Sequence, residues 1–359
     1  MDAYTSPTAF YGALKHKAQL LSRQSGMGVA DLLSSYYFSR LVARVFQAQP
    51  ERWILKGGHA LLTRYPGAAR LSQDVDIQHD GDTGIEDAVT ALCAAARHDL
   101  RDYLRFEPAR LSTHQNGAAG AKQLLHVYMG THQVDTLRVD VVAGRRPITT
   151  PDMRPIRPLI DLGWPADWPQ ARLYPILDHL ADKTCALYER HRGIPSTRWR
   201  DLADILLISQ QETLDGHAAQ ITLRAEAQRR QQAGGDLHLP TSFEPPGPAW
   251  PARYPTAALQ VPGLNGCTTW HQAAAAADTF LTPLLAAHPP GHWHPADTTW
   301  HPQPQHLELT PAHMARLRAL TDAVAQRTAT APAPAAQRPQ RPRPDVPPPA
   351  PGSTRTPGR

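Results

Sequence analysis

Residues 70–77 read Arg70-Leu71-Ser72-Gln73-Asp74-Val75-Asp76-Ile77, a segment in which acidic and apolar side chains alternate. On an extended strand, Asp74 and Asp76 point to one face, while Val75 and Ile77 point to the other and can be buried. Two carboxylates this close repel each other, and a divalent cation beside them relieves the repulsion. Their hard oxygen atoms suit Mg²⁺, which takes one or two carboxylates, waters and substrate phosphates. The alternative is a solvated loop in which the two acids bind nothing.

A glycine pair precedes this segment. Residues 52–55 predict a short strand, which leads into Lys56-Gly57-Gly58, and a helix is predicted from His59. Glycines at the start of a helix allow backbone N–H groups to approach a triphosphate, and the helix dipole favours the anion. The order of strand, Gly-Gly, helix and carboxylate strand therefore suits the transfer of a nucleotidyl group.

A third acidic residue lies on a later predicted strand. Residues 136–142 form an apolar run that is interrupted by Asp140. On a strand next to the first two carboxylates, Asp140 can bind a second metal ion or act as the base for an incoming hydroxyl. The alternative is an inward polar residue at the edge of a strand.

Composition limits the class of protein. The 359 residues are 41% hydrophobic, enough for two domains with a core, and the 36 prolines indicate that part of the chain is not globular. The three cysteines are scattered without a CxxC pair, which favours a reducing cytoplasm. No signal peptide or long apolar segment is visible, so we expect a cytoplasmic protein without a membrane partner. The net charge of +5 tolerates a nucleic-acid partner without demonstrating one.

The predicted organisation has five parts. They are N-terminal helices in 1–50, a core with a small mixed sheet in 51–165, a helical lobe in 166–232, a Pro/Trp/His-rich region in 233–327 and a disordered Pro/Arg-rich tail in 328–359. The predicted fold is α+β, with helices flanking the sheet. Hydrophobic periodicity predicts helices over 8–23, 29–48, 83–105, 177–192, 198–207, 217–232, 271–287 and 306–327, and strands over 71–77, 124–129 and 136–142.

The glycine and aspartate motifs resemble those of the AbiEii/AbiGii toxin family, whose members are nucleotidyltransferase-like proteins of bacterial toxin–antitoxin systems. They are also similar to the wider DNA polymerase β-type nucleotidyltransferase superfamily, in which Gly-Gly or Gly-Ser is followed by Asp-x-Asp or Asp-x-Glu. The toxin family has a helix with a lysine and then a helix with an Arg/Lys-Asp-x-x-Asp segment. This chain has Asp182-Lys183 in the first and 200–204, Arg-Asp-Leu-Ala-Asp, in the second. The resemblance covers roughly residues 30–210, and residues 234–305 fall outside it.

The resemblance implies a role for each matching residue. Asp74 and Asp76 match the metal ligands and would hold Mg²⁺, and Asp140, the candidate third carboxylate from the neighbouring strand, would complete the metal site or act as the base. The triphosphate would be held by Lys56, Gly57, Gly58, Ser72 and Lys183. Asp201 or Asp204 would be the essential acid of the last motif, and the sequence does not choose between them.

The resemblance also implies the substrates and the partner. An NTP would supply the nucleotide, a tRNA 3′ end would accept it, and a cognate antitoxin encoded nearby would control the activity. Two other interpretations remain open at this point: transfer to a protein or small molecule, and a non-catalytic protein that binds a nucleotide or an antitoxin.

Overall fold

The computed structural model describes residues 4–81, 83–113 and 120–302, and every element below lies in these ranges. The helices are α1 Pro7–Ser25, α2 Val29–Ala48, α3 Gly57–Arg64, α4 Ile85–Ala96, α5 Ile176–Tyr188, α6 Trp199–Gln211, α7 Gly216–Gln232, α8 Trp250–Ala258 and α9 Trp270–Leu285. The strands are β1 Trp53–Lys56, β2 Val75–His79, β3 Leu104–Thr113, β4 Gly120–Met129, β5 His132–Val142, β6 Asp152–Pro155, β7 Gln170–Leu173, β8 Glu189–Arg190, β9 Leu214–Asp215, β10 Asp236–Leu237, β11 His292–His294 and β12 Thr299–His301. The predicted helix over 306–327 and the predicted disordered tail over 328–359 lie outside the described residues.

A mixed sheet carries the N-terminal half of the chain. Among the described residues its seven strands have the order β3-β4-β5-β2-β1-β7-β6. Strand β2 runs parallel to β5 and β1 runs parallel to β7, whereas the other neighbouring pairs are antiparallel. The sheet is followed by a mostly helical region from α5 onward, so the predicted α+β fold class is confirmed.

Two clusters of buried apolar side chains stabilise the fold. The first joins α1, α2 and α4 to the sheet, with Phe46, Trp53 and Phe106 almost completely buried. The second lies among α5 to α9 and includes the buried indoles of Trp250 and Trp293. Helix α3 contributes to both clusters. The glycine turn at its N-terminus is therefore fixed between the sheet and the helical region.

The strand that carries the acidic motif is shorter than predicted. It begins at Val75 rather than Leu71, and Asp74 lies in a bend just before it. The preceding polar side chains are engaged elsewhere: Arg70 bonds to Asp204, and the Ser72 hydroxyl donates to Asp74. Val75 and Ile77 are buried while Asp76 is half-buried, so the predicted alternation holds over these three residues, and it ends there because Gln78 and His79 are both buried.

The prediction of one helix over 83–105 is wrong beyond residue 96. Helix α4 ends at Ala96, and the chain then turns through Arg101 and Tyr103, which have positive φ values of 53° and 62°. Between them, the fully buried Asp102 accepts hydrogen bonds from Arg40 and Arg44 of α2. This ion-pair cluster fixes the turn, after which the chain enters β3.

The two later strands are longer than predicted. Strands β4 and β5 pair from Gly120↔Val142 to Met129↔His132, beyond the predicted spans 124–129 and 136–142. Many side chains of β5 near the turn are exposed and polar, so hydrophobic periodicity does not mark that end. None of the described helices is long and apolar enough to cross a membrane.

Candidate active site

A cavity of about 650 Å³ lies between the sheet and the helices α5 and α6. Nine of the ten predicted site residues line it, and the tenth, Asp204, does not. The nine are Lys56, Gly57, Gly58, Ser72, Asp74, Asp76, Asp140, Lys183 and Asp201. Residues more than 140 positions apart in the sequence therefore meet at one surface.

Three adjacent strands bring the central side chains together. Lys56 of β1 is the register partner of Asp76 of β2, and Asp76 is the register partner of Asp140 of β5. Side chains at paired positions of neighbouring strands share a face of the sheet, so a cation and two carboxylates lie in one row. The Lys56 ammonium lies 4.1 Å above the ring of Tyr174, which steadies it beside the carboxylates.

The environment of Asp76 disfavours its charge. Burial and, after it, the nearby carboxylates of Asp74 and Asp140 raise the pKa of Asp76 to about 7, against the opposing effect of Lys56 and Lys183. The cause is the cost of placing an anion in a partly dry site beside two others. A bound cation would remove this penalty. No group of three His, Cys, Asp or Glu side chains in the described ranges is arranged to hold a metal ion by itself.

The glycine turn lies directly against the aspartate segment. Gly57 has a φ of +62°, and a Cβ atom added there would lie 2.6 Å from Cγ of Asp76. A Cβ atom added at Gly58 would lie 2.8 Å from Oγ of Ser72. Side chains at either position would collide with the acidic segment, so close approach requires both glycines, and the positive φ of Gly57 favours glycine there as well.

Lys183 is held by two carboxylates. Its ammonium group donates to Oδ1 of Asp201 at 2.7 Å and to Oδ2 of Asp204 at 2.8 Å. Burial alone would lower the pKa of Lys183, but these two carboxylates raise it above its usual value, so the side chain is charged. An ammonium group has three donors. One N–H of Lys183 therefore remains for another acceptor at the cavity wall.

Asp204 lies behind this wall and joins two cations. Its carboxylate accepts from Nε of Arg70 at 3.1 Å and from Nη2 at 3.0 Å, in addition to Lys183. Burial acts to raise the pKa of Asp204, but Lys183 and Arg70 hold it below the usual range. Asp201 has a weaker second partner, with Nη1 of Arg198 at 3.7 Å. Both acids thus contact cations rather than Asp74, Asp76 or Asp140.

Three more cavity residues were not singled out from the sequence. Arg70 belongs to the quoted segment, and its guanidinium lies beside Gly58 as well as Asp204. Asp182 precedes Lys183, and its carboxylate accepts from Nη2 of Arg230 at 2.8 Å. Arg230 of α7 also pairs with Glu189 and Glu226. Arg70 and Asp182 could have been identified from the sequence because they belong to the quoted motifs. Nothing in the sequence distinguishes Arg230 from Arg229.

The family model described as "Nucleotidyl transferase AbiEii toxin, Type IV TA system" matches residues 40–294. The expectation that the resemblance stops near residue 210 is therefore wrong, because the match extends through most of the Pro/Trp/His-rich region. Trp250 and Trp293 of that region pack in the second core, and their indole N–H groups donate to the backbone oxygens of Ser196 and Ser209.

Several solved structures are similar to the chain, including the following two. MenT4, a nucleotidyltransferase toxin from Mycobacterium tuberculosis H37Rv, is 17% identical with a TM-score of 0.45, over 72% of this chain and 93% of that chain. An antigenic nucleotidyltransferase-like protein from Paracoccidioides brasiliensis is 14% identical with a TM-score of 0.34, over 56% of this chain and 90% of that chain. No curated protein matches the sequence.

Proposed function

Because this chain belongs to the AbiEii family of nucleotidyltransferase toxins of type IV toxin–antitoxin systems, we propose that it transfers a nucleotide from an NTP to a tRNA 3′ end with the help of Mg²⁺. The observation that carries the proposal is the joint lining of one cavity. Asp74, Asp76 and Asp140 contribute carboxylates to its lining, and Lys56 and Lys183 contribute ammonium groups to the same lining. The protein would act in the cytoplasm, where both substrates occur, and its antitoxin would restrain it there.

The three carboxylates of the lining suit Mg²⁺. This ion binds through one or two carboxylates and completes its coordination with waters and substrate phosphates. Asp76 with Asp74 or Asp140 therefore suffices, and no set of three protein ligands is needed. The raised pKa of Asp76 supports this assignment, since a bound cation would favour the ionised carboxylate. When bound, Mg²⁺ would stabilise the charge on the phosphate oxygens during transfer.

The ammonium groups of the lining and the N-terminus of α3 suit the triphosphate. The third N–H of Lys183 is directed by its two bonds to Asp201 and Asp204. The backbone N–H groups of Gly57 and Gly58 begin helix α3, where they have no acceptor within the helix and the dipole favours an anion. Holding the phosphates between these groups would position the transferred phosphorus atom, and positioning is a large part of catalysis in such reactions.

The remaining polar residues have supporting roles in this proposal. Asp140 completes the metal site or accepts the proton of the attacking hydroxyl. Ser72 donates to Asp74 at 3.1 Å and so orients that carboxylate. Asp201 and Asp204 act through Lys183, and Asp204 also fixes Arg70, so we assign both acids as positioning residues.

The test is a labelling reaction. Purified protein is incubated with Mg²⁺, total tRNA and each of the four α-labelled NTPs, and the label is followed on RNA. We expect label on the RNA 3′ end with one or more NTPs and none with the variant Asp74→Ala/Asp76→Ala. The matched control is Glu86→Ala/Asp87→Ala, which removes two exposed acids from α4 and should label as the unaltered protein does.

The outcomes separate the acceptors. Label on protein or on a small molecule would replace the tRNA part of the proposal, and no label with any acceptor would overturn the transfer reaction. Expression toxicity that disappears in the double aspartate variant but persists in the control would connect the chemistry to the toxin.

A further inference from the structure

The loop between α5 and α6 is strongly basic. Residues 190–200, which run from the end of β8 through the loop to the first two residues of α6, contain four arginines, one histidine and no acid. All four arginines, Arg190, Arg192, Arg198 and Arg200, are exposed. Arg198 approaches Asp201 at 3.7 Å, whereas the other three form no ion pair with any residue that the structure describes. The loop therefore presents cationic groups that its own structure does not use.

The backbone of this α5–α6 loop is held in a defined shape. His191 and Ile194 exchange two backbone hydrogen bonds of 3.1 Å around Arg192 and Gly193, whose φ values are +54° and +74°. Positive φ at both central residues is the pattern of a tight two-residue hairpin. Arg192 thus occupies a strained backbone conformation that favours glycine. Such strain is retained where the surroundings or a function impose it.

Further along, the loop is fastened to the second core. The buried Ser196 donates through Oγ to the carbonyl of Ala186 at 2.7 Å and accepts from the backbone N–H of Arg198 at 3.2 Å. The indole of Trp250 donates to the Ser196 carbonyl at 3.0 Å. These bonds fix the loop on both sides of Ser196, so the arginines start from a preorganised backbone.

The first two arginines of the loop lie outside the lining of the cavity, and the last two belong to it. Thr197, Arg198 and Arg200 line the candidate active site, whereas Arg190 and Arg192 do not. A triphosphate bound in the cavity would contact the residues that line the cavity and would not need Arg190 or Arg192. Cations beyond the wall suit a substrate that carries further phosphates and continues past the cavity.

We propose that the α5–α6 loop binds the phosphate backbone of an RNA acceptor through Arg190 and Arg192 while the 3′ end of that RNA enters the cavity. This inference rests on the proposed function, because it locates the acceptor of the same reaction. Guanidinium groups pair with phosphates through two parallel hydrogen bonds, and they are less strongly hydrated than ammonium groups. A small-molecule acceptor would need no such extended basic surface.

The experiment measures RNA binding without NTP. Fluorescently labelled tRNA is titrated with unaltered protein and with Arg190→Gln/Arg192→Gln, and anisotropy is recorded at several salt concentrations. We expect the variant to bind roughly tenfold more weakly at low salt. Each phosphate contact contributes about 0.7–0.9 to the slope of log K against log salt. The slope of the variant should therefore be shallower by one to two such contributions.

Two controls identify the cause of any loss. Arg23→Gln/Arg97→Gln removes the same charge from exposed positions on α1 and after α4, and it should keep the affinity and the slope. Arg190→Lys/Arg192→Lys keeps the charge, so it should keep the salt slope but lose part of the affinity, because an ammonium group cannot form the two parallel hydrogen bonds. The thermal unfolding midpoints of all variants are compared. If Arg190→Gln/Arg192→Gln shows a folding defect, the lysine variant is compared with the unaltered protein instead.

The result also distinguishes this inference from the transfer proposal. Equal affinity and slope in the loop variant and the Arg23/Arg97 control would overturn RNA binding by the loop, even if tRNA were labelled. Loop-dependent binding without any labelling would retain the docking surface and overturn the transfer reaction. Specific binding of a protein acceptor in place of RNA would also overturn the inference.

Discussion

The substitution Gly57→Ala tests whether the glycine turn keeps the Asp76 carboxylate in position. The added Cβ atom would lie 2.6 Å from Cγ of Asp76, whereas two carbon atoms in contact are normally about 3.5–4.0 Å apart. The side chain of Asp76 or the turn must therefore move by about 1 Å. Asp76 is confined by the buried strand β2, so the displacement would change the position of the carboxylate relative to the phosphates of the proposed substrate.

Two effects of different size are expected. The φ of Gly57 is +62°, and an alanine in that conformation lowers the free energy of unfolding by about 1–2 kcal/mol. Misplacing a catalytic group by about 1 Å can slow a reaction by about 10²-fold. We therefore expect a folded, moderately destabilised protein whose transfer rate is lower by about two orders of magnitude.

The control is Gly67→Ala. Gly67 has a φ of +80°, and an added Cβ atom would meet nothing within 4 Å. It carries similar backbone strain without the collision, so urea unfolding should give similar losses for both variants while only Gly57→Ala loses activity. The initial rate of label transfer is measured at a temperature where both variants are folded. Equal rates in the two variants would refute the proposed function of the turn.

Asp204→Asn should lower the free energy of unfolding by about 3–5 kcal/mol, because it leaves the buried Lys183 and the partly buried Arg70 without their shared carboxylate. Asp201→Asn should have a smaller effect because its other partner, Arg198, is exposed; urea titrations that reversed this order would contradict the assignment. Burial and then Asp74 and Asp140 raise the pKa of Asp76 to about 7, so Mg²⁺ affinity should fall as the pH drops through this value. The midpoint of the pH–rate profile should therefore move to lower pH at higher Mg²⁺ concentration, and a midpoint independent of Mg²⁺ would exclude competition between proton and metal at Asp76. Burial alone would raise the pKa of Asp102, but Arg44 and Arg40 hold it below the usual range, so its stabilisation is complete above the unfolded pKa of about 4 and is lost as the pH falls below it. Asp102→Asn should thus flatten the acid limb of the stability curve measured by urea unfolding between pH 3 and 7, and an unchanged limb would argue against this pair.

The sequence predicted the elements that local patterns define. The alternation around Asp76 indicated a strand with one buried face, and the glycines at 57 and 58 indicated the start of a helix. Both signals depend on neighbours within a few residues, and tertiary contacts did not override them. The polar segment before Val75 was predicted as strand because its long-range partner, Asp204, could not be read from its local pattern.

The errors occurred where distant charges determine the backbone. Helix α4 stops at Ala96, and the turn that follows depends on Asp102 and its two arginine partners in α2, which lie about 60 residues away. A single sequence gives no register for such pairs. Composition likewise obscured the region around Trp250 and Trp293, whose prolines and histidines suggest a loop although both indoles are buried.

The roles of Lys183, Asp201 and Asp204 illustrate the limit of motif reasoning most directly. The motif specified which residue types recur, but the structure shows that both acids bind cations. Burying one ammonium with two carboxylates is favourable only when every partner is satisfied, and Arg70 supplies the charge that balances Asp204.

The series of ion pairs Arg70–Asp204–Lys183–Asp201 links the segment before Asp74 to helices α6 and α5. A displacement of any member would leave a buried charge without its partner, so the acidic segment and the helical wall must keep one relative position. That requirement explains why a buried ion-pair network stands beside the cavity when apolar residues could have filled the same space. In the proposed reaction, its contribution would be to hold the Lys183 ammonium at the cavity lining with one N–H that Asp201 and Asp204 do not use, which an apolar contact could not provide.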